Sequence, residues 1–253
     1  MPNWGGATSP KRVSKVRLLL PYRWRWQVAS QPYADIAVPQ GQLSRTVWRY
    51  MDLRKLTDLF EKQTLYLCQL ERLQDDHEGS MPVALKEQID EWSAGCHPAS
   101  INPASYPSAW TRKWHYVTCW CMRDEESDAL WRLYGGKNDG SDAVAITSTF
   151  GQLSDAFPES DEIGRVRYID YENAPLVDVD KVSLAFLKRK EFEHEHEVRV
   201  VRRHIKFAPE LRHMKLQRPS PGAIGFPTDE WWQSLYDQPA GVPVPVDTQA
   251  LIT

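Results

Sequence analysis

The run Phe192-Glu193-His194-Glu195-His196-Glu197-Val198-Arg199-Val200-Val201 concentrates side chains able to do chemistry. In a β-strand, successive side chains alternate between faces. A strand here puts Glu193, Glu195, Glu197 and Arg199 on one face, and His194, His196, Val198 and Val200 on the other. Three like charges on one face repel, so a fold that keeps them together has a use for them. Such carboxylates can stabilise a developing positive charge, take a proton or hold a metal ion. The competing reading is a solvated edge strand whose charges discourage aggregation.

A second acidic stretch is the loop Leu73-Gln74-Asp75-Asp76-His77-Glu78-Gly79. Asp75, Asp76 and Glu78 with Glu193, Glu195 and Glu197 form the oxygen-rich set of a Mg²⁺-dependent nuclease, one alternative function. Loop aspartates are also ordinary caps or solvated groups, and no nuclease spacing is present. His194 and His196 share a face and offer a transition-metal pair, against a plain reading as solvent-facing residues. Cys119 and Cys121 with Cys96, His97 and His115 offer zinc ligands. Their spacing fits no common zinc motif, and buried reduced thiols are the simpler reading, so no metal is expected.

These residues need elements to carry them. Thr46–Met51 reads as a strand, with Asp52 capping a helix striped by Leu53, Leu56, Leu59 and Phe60. Residues 64–68, 115–122 and 143–147 read as strands, the last running into Ser148-Thr149, either of which can cap a helix ending near Phe157. Helices are expected over residues 82–92, 125–134 and 183–190, and further strands over 166–171 and 242–246. Strands and helices do not alternate strictly, which predicts an α+β fold rather than a doubly wound sheet. The expected organisation is an irregular arm over residues 1–44 and one α+β domain over 45–253. An exposed insertion rich in Pro, Ser and Ala is expected near 94–109.

The chain has 253 residues, 42% hydrophobic and 26% charged, with a net charge of -3, enough for a sizeable core. Lys11, Arg12, Lys15, Arg17, Arg23 and Arg25 all precede the first acid, Asp35, and interleave with Trp4, Tyr22, Trp24 and Trp26. Such an arm can contact nucleic acid, or simply pack its tryptophans on the body. Tryptophans beside arginines, as at Trp24-Arg25, Trp48-Arg49 and Trp131-Arg132, also allow a non-catalytic module for nucleic acid or protein. No run is long enough to span a membrane, and Leu18-Leu19-Leu20 is too short for a signal peptide. A cytoplasmic location is expected.

The order Arg49, then Ser148-Thr149 at a strand end, then Glu195-x-Glu197 resembles the ADP-ribosyltransferases of the arginine–serine–glutamate type. Here Thr147-Ser148-Thr149 replaces the aromatic-Ser-Thr-Ser of that family. A wider resemblance spans Val47 to Val201. It uses Val47-Trp48-Arg49-Tyr50-Met51, Leu65-Tyr66-Leu67, Leu73-x-Asp75-Asp76-His77-Glu78-Gly79, Thr118-Cys119-Trp120, Ala129–Gly135, Val144-Ala145-Ile146 and Phe192-x-x-Glu195-x-Glu197-x-Arg199. On these the chain is similar to a bacterial domain-of-unknown-function family, numbered twenty-nine seventy-one, whose opening pattern also looks transferase-like.

The resemblance implies NAD as co-substrate, a macromolecular acceptor, a split sheet, and a toxin or phage-defence role. It implies Glu197 as the catalytic carboxylate and Glu195 as the group that orients or deprotonates the acceptor. Arg49 would hold the dinucleotide, Tyr50 or Tyr66 would stack on nicotinamide, and Ser148 or Thr149 would brace the site. Asp76, Glu78 and Arg199 would line it.

Overall fold

The structure is a computed structural model that describes residues 36–94, 107–134, 143–174, 184–204 and 237–253. The basic arm, most of the expected insertion with Cys96 and His97, and Trp231-Trp232 lie outside the described residues.

Strand β1 (Thr46–Asp52) runs straight into helix α1 (Leu53–Lys62). Asp52 makes the junction, its Oδ1 accepting the Lys55 backbone N–H at 2.8 Å. Gln63, with a left-handed φ of 50, ends the helix and turns the chain into β2 (Thr64–Gln69). Helices α2 (Val83–Ala94) and α3 (Pro107–Trp114) lead to β3 (His115–Met122). After α4 (Asp128–Tyr134) come β4 (Ala143–Thr149) and α5 (Phe150–Asp155). Four strands follow: β5 (Glu162–Arg165), β6 (Arg167–Ile169), β7 (Leu187–Arg189) and β8 (Glu197–Arg203). The chain closes with β9 (Gly241–Pro245) and α6 (Thr248–Leu251).

Seven of the strands form one antiparallel sheet, and β6 and β7 form a separate parallel pair. The expected α+β class holds. Strand β3 is the hub. Along one edge it pairs with β8 from His115↔Arg203 to Cys121↔Glu197, and β5 pairs beyond β8. Its other edge is shared. β1 pairs with it only at Val47↔Met122 and Trp48↔Cys121, and β2 only at Cys68↔Val117 and Gln69↔Tyr116. Between these two short ladders the sheet is slit, and Thr118–Trp120 pairs with neither β1 nor β2.

Alternation along the strands sorts the side chains. One face carries Val47, Met51, Leu65, Leu67, Trp120, Ile146, Val198 and Val200, covered by α1, α5 and α6 through Leu59, Leu153 and Leu251. The other face carries Val117 and Val201 in one apolar cluster, and Cys121 and Tyr50 in a second with Leu130. Cys119, Glu197 and Arg199 lie on this second face, with Cys119 opposite Arg199 and Cys121 opposite Glu197. Helix α1 buries Leu59 and partly Leu56, while Leu53 and Phe60 are exposed, a narrower stripe than the spacing predicts.

Two expectations fail. The helix over 183–190 is a single 3-10 turn, Leu184–Phe186, followed by β7. The acidic run is not a continuous strand. Lys190–Glu195 is a 3-10 helix, His196 is left-handed with φ 48, and only Glu197 begins β8. The physical reason lies in the partner: β3 ends at Met122, so the chain before Glu197 has no ladder to join. The strand over 166–171 shrinks to β6, and β5 precedes it without a strong alternating signal.

Candidate functional site

Five charged side chains meet on the second face of the sheet. Lys188 reaches in from β7, and its Nζ lies 2.6 Å from Glu195, 2.9 Å from Glu197 and 3.4 Å from Glu78. Arg199 Nε donates to Glu197 Oε1 at 2.5 Å, and its Nη2 donates to Glu197 Oε2 at 3.1 Å and pairs with Glu78. Its Nη1 donates to the Ala185 carbonyl at 2.7 Å, so the guanidinium is fully committed. All five residues are buried. The left-handed turn at His196 is what lets Glu195 and Glu197 converge on one ammonium, and a non-glycine residue holding that backbone is uncommon.

Three carboxylates face two cations, which leaves one negative charge in excess when all are ionised. Burial works to raise the Glu197 carboxyl, but Arg199 and Lys188 outweigh it and hold it well below the ordinary carboxylate range. Burial wins at Glu78 and raises it. Lys188 is raised despite its burial, because Glu197 leads the charges around it. Tyr134, at the end of α4, donates its hydroxyl to Glu195 Oε1 at 2.7 Å. Burial and Glu195 push that phenol far up, so it stays a donor. Burial, then Glu197, keeps the Cys119 thiol protonated, and burial pushes Cys121 up to about 12.

The acidic loop delivers Glu78. Asp75 is buried, accepts the His77 backbone N–H at 3.1 Å and takes Arg189 Nε at 3.0 Å. Gly79 follows with φ 72, a conformation that favours glycine. Asp76 is different: its side chain is 97% exposed and faces Arg112.

The cluster forms part of the wall of a cleft of about 1520 Å³ that runs to the slit between β1 and β2. Arg49, Tyr50 and Tyr66 line the same cleft. Arg49 lies over the Trp120 ring, 5.9 Å from its centre. Burial lowers its pKa, and its Nη1 is buried without an acceptor among the described residues. Tyr50 is wall rather than platform: its hydroxyl accepts from Ser127 N at 3.1 Å and its ring packs edge-on to Trp131. Tyr66 is the exposed aromatic of the two.

Ser148 and Thr149 are not brought to the cleft. Ser148 lies opposite Val47 on the core face, buried, its hydroxyl donating to the Thr149 carbonyl at 3.3 Å. Strand alternation puts it, like Arg49, on the side of the sheet away from Glu197, and unlike Arg49 it does not line the cleft. Thr149 caps α5, accepting Gln152 N at 3.1 Å in a capping box. Of the carboxylates of the nuclease alternative, Glu78, Glu195 and Glu197 converge, but Asp76 and Glu193 are exposed and stand apart from them. Lys188 and Arg199 fill the space among Glu78, Glu195 and Glu197, and no group of metal-binding side chains stands out among the described residues. His194 and His196 are exposed, and His115 is half-buried, its pKa lowered to about 4 by desolvation, and bonded to the Thr111 carbonyl.

No family model, curated protein or solved structure matches this chain.

Two members of the site escape a reading of the sequence. Lys188 was hidden inside an expected helix, and its signal is a lysine directly after the apolar run Leu184–Leu187. Tyr134 sits two residues past Arg132 on an amphipathic segment, and nothing local marks its hydroxyl as the partner of Glu195.

Proposed function

We propose that the chain is an NAD-dependent ADP-ribosyltransferase acting on a macromolecular acceptor. One observation carries this reading. Glu195 and Glu197 converge on Lys188 at 2.6 and 2.9 Å, in a dinucleotide-sized cleft whose wall also includes Arg49. Loss of nicotinamide from NAD takes the bonding electrons with it and leaves positive charge on the ribose. A buried carboxylate pair within a cluster that carries one negative charge in excess when all are ionised favours that state over the ground state. Glu197, held ionised, faces the ribose. Glu195 takes the proton of the attacking nucleophile, with Tyr134 fixing its orientation. The brace first assigned to Ser148 passes to Tyr134 in this account. Arg49 holds the dinucleotide, and Tyr66 is the stacking aromatic.

The test is transfer of label from NAD by the purified chain to itself or to lysate components. Glu195→Gln abolishes it with little change in thermal stability. Glu197→Gln also abolishes it but destabilises the fold, because it breaks the two-pronged pair with the fully buried Arg199. Wild-type protein that neither transfers the label nor releases nicotinamide contradicts the proposal.

A further inference from the structure

At the slit, three side chains hold buried polar atoms without a hydrogen-bond partner among the described residues: Arg49 Nη1, Thr118 Oγ1 and Trp120 Nε1. All three residues line the cleft. Thr118 and Trp120 stand two apart on β3, hence on the same side of the strand, and the Arg49 guanidinium lies 5.9 Å from the Trp120 ring centre. They belong to the stretch where β3 pairs with neither β1 nor β2. Buried polar atoms without partners are rare, and each costs the desolvation of its group.

The chemistry of the three is one-sided. A guanidinium N–H and an indole N–H only donate, and a threonine hydroxyl donates readily. Such a set calls for a ligand that accepts. Arg49 adds charge, and no carboxylate pairs with it among the described residues. A buried cation without a counter-ion is seldom kept unless something binds it. A carboxylate offers two oxygens to three donors. A phosphate offers more, arranged in three dimensions to match two donors from β3 and an arginine fork from β1.

We propose that the slit between β1 and β2 is a binding site for one phosphate group of the substrate, held by Arg49, Thr118 and Trp120. The assignment deepens the transferase reading and rests on the same cleft: Arg49, Thr118 and Trp120 lie on the first face of the sheet and Glu195 and Glu197 on the second, so the dinucleotide threads the slit between its diphosphate and its reacting ribose.

The test measures thermal unfolding of the full chain against sodium pyrophosphate, with sodium chloride at matched ionic strength as control, and then against NAD. Wild-type protein gains a saturable rise in Tm with pyrophosphate, because a ligand that binds only the folded state stabilises it by mass action. Thr118→Val raises the half-saturating concentration about tenfold, while the Tm of the free protein rises because a buried unmatched hydroxyl is gone. Arg49→Gln loses the saturable response. Trp120→Phe weakens it and keeps the ring. The site is overturned if wild-type protein responds to neither pyrophosphate nor NAD, or if Thr118→Val and Arg49→Gln respond as wild type does. Stabilisation by pyrophosphate without nicotinamide release from NAD upholds the phosphate site and removes the transferase reading. Nicotinamide release that Thr118→Val leaves unchanged at every NAD concentration upholds the transferase and removes the phosphate site.

Discussion

At the scale of single residues, the account turns on which charges are committed and which are available. Arg199 is committed to Glu197, Glu78 and the Ala185 carbonyl, so it is a structural counter-charge. Arg199→Met strands Glu78 and Glu197 and should lower unfolding stability by about 3–5 kcal/mol, measured by urea denaturation. Tyr134→Phe removes one hydrogen bond from a half-exposed side chain. It should cost about 1 kcal/mol of stability at most yet lower transfer by about tenfold or more, because Glu195 loses its orienting donor. Sequence reading singled out Glu195 and Glu197 by residue type and spacing, and Arg49 through the family resemblance. It misplaced Ser148, since one step along a strand changes the face and nothing in Thr147-Ser148-Thr149 says which residue faces the core. It could not see Lys188, whose role depends on β7 folding back beside β8, a long-range event with no local mark.

At the scale of elements, strands were legible where their apolar patterns were strong. β3 was read to its exact ends, and β1, β2, β4 and β9 to within about two residues. The short pieces around the site were not, because 3-10 turns and three-residue strands carry too few residues for a period to show. Two elements can be tested directly. The loop that delivers Glu78 ends on Gly79, where an added Cβ would stand 2.6 Å from Leu70 Cδ2 and the φ of 72 is unfavourable. Gly79→Ala should destabilise by about 1–3 kcal/mol, read from the thermal midpoint. On β5, burial pushes the Glu162 carboxyl up to about 7 against the opposing influence of Arg203. Its folded value exceeds its unfolded one, so it adds stability below the unfolded carboxylate range, and that contribution is lost as pH rises through about 7. Glu162→Gln should therefore flatten the fall in stability between pH 5 and pH 8, a difference of at most about 3 kcal/mol seen by thermal melts at stepped pH.

At the scale of the whole molecule, one sheet does two jobs. Its first face is a continuous apolar core under α1, α5 and α6, and its second face interrupts two apolar clusters with a buried ionic cluster. That second arrangement stabilises little by itself, since desolvating five charged groups offsets most of their attraction. The slit in the sheet supplies the space, and no described helix is long and apolar enough to cross a membrane. The α+β class was legible from the non-alternating order of elements, while the slit was not, because it arises from two strands sharing one edge of β3. The most direct measurement is nicotinamide release from NAD, followed by chromatography for wild-type protein and for Glu195→Gln at matched folded concentration. The account predicts release by wild type and a fall of about a hundredfold or more in Glu195→Gln, with its thermal midpoint nearly unchanged. Equal release by the two proteins, or none from wild type, contradicts it.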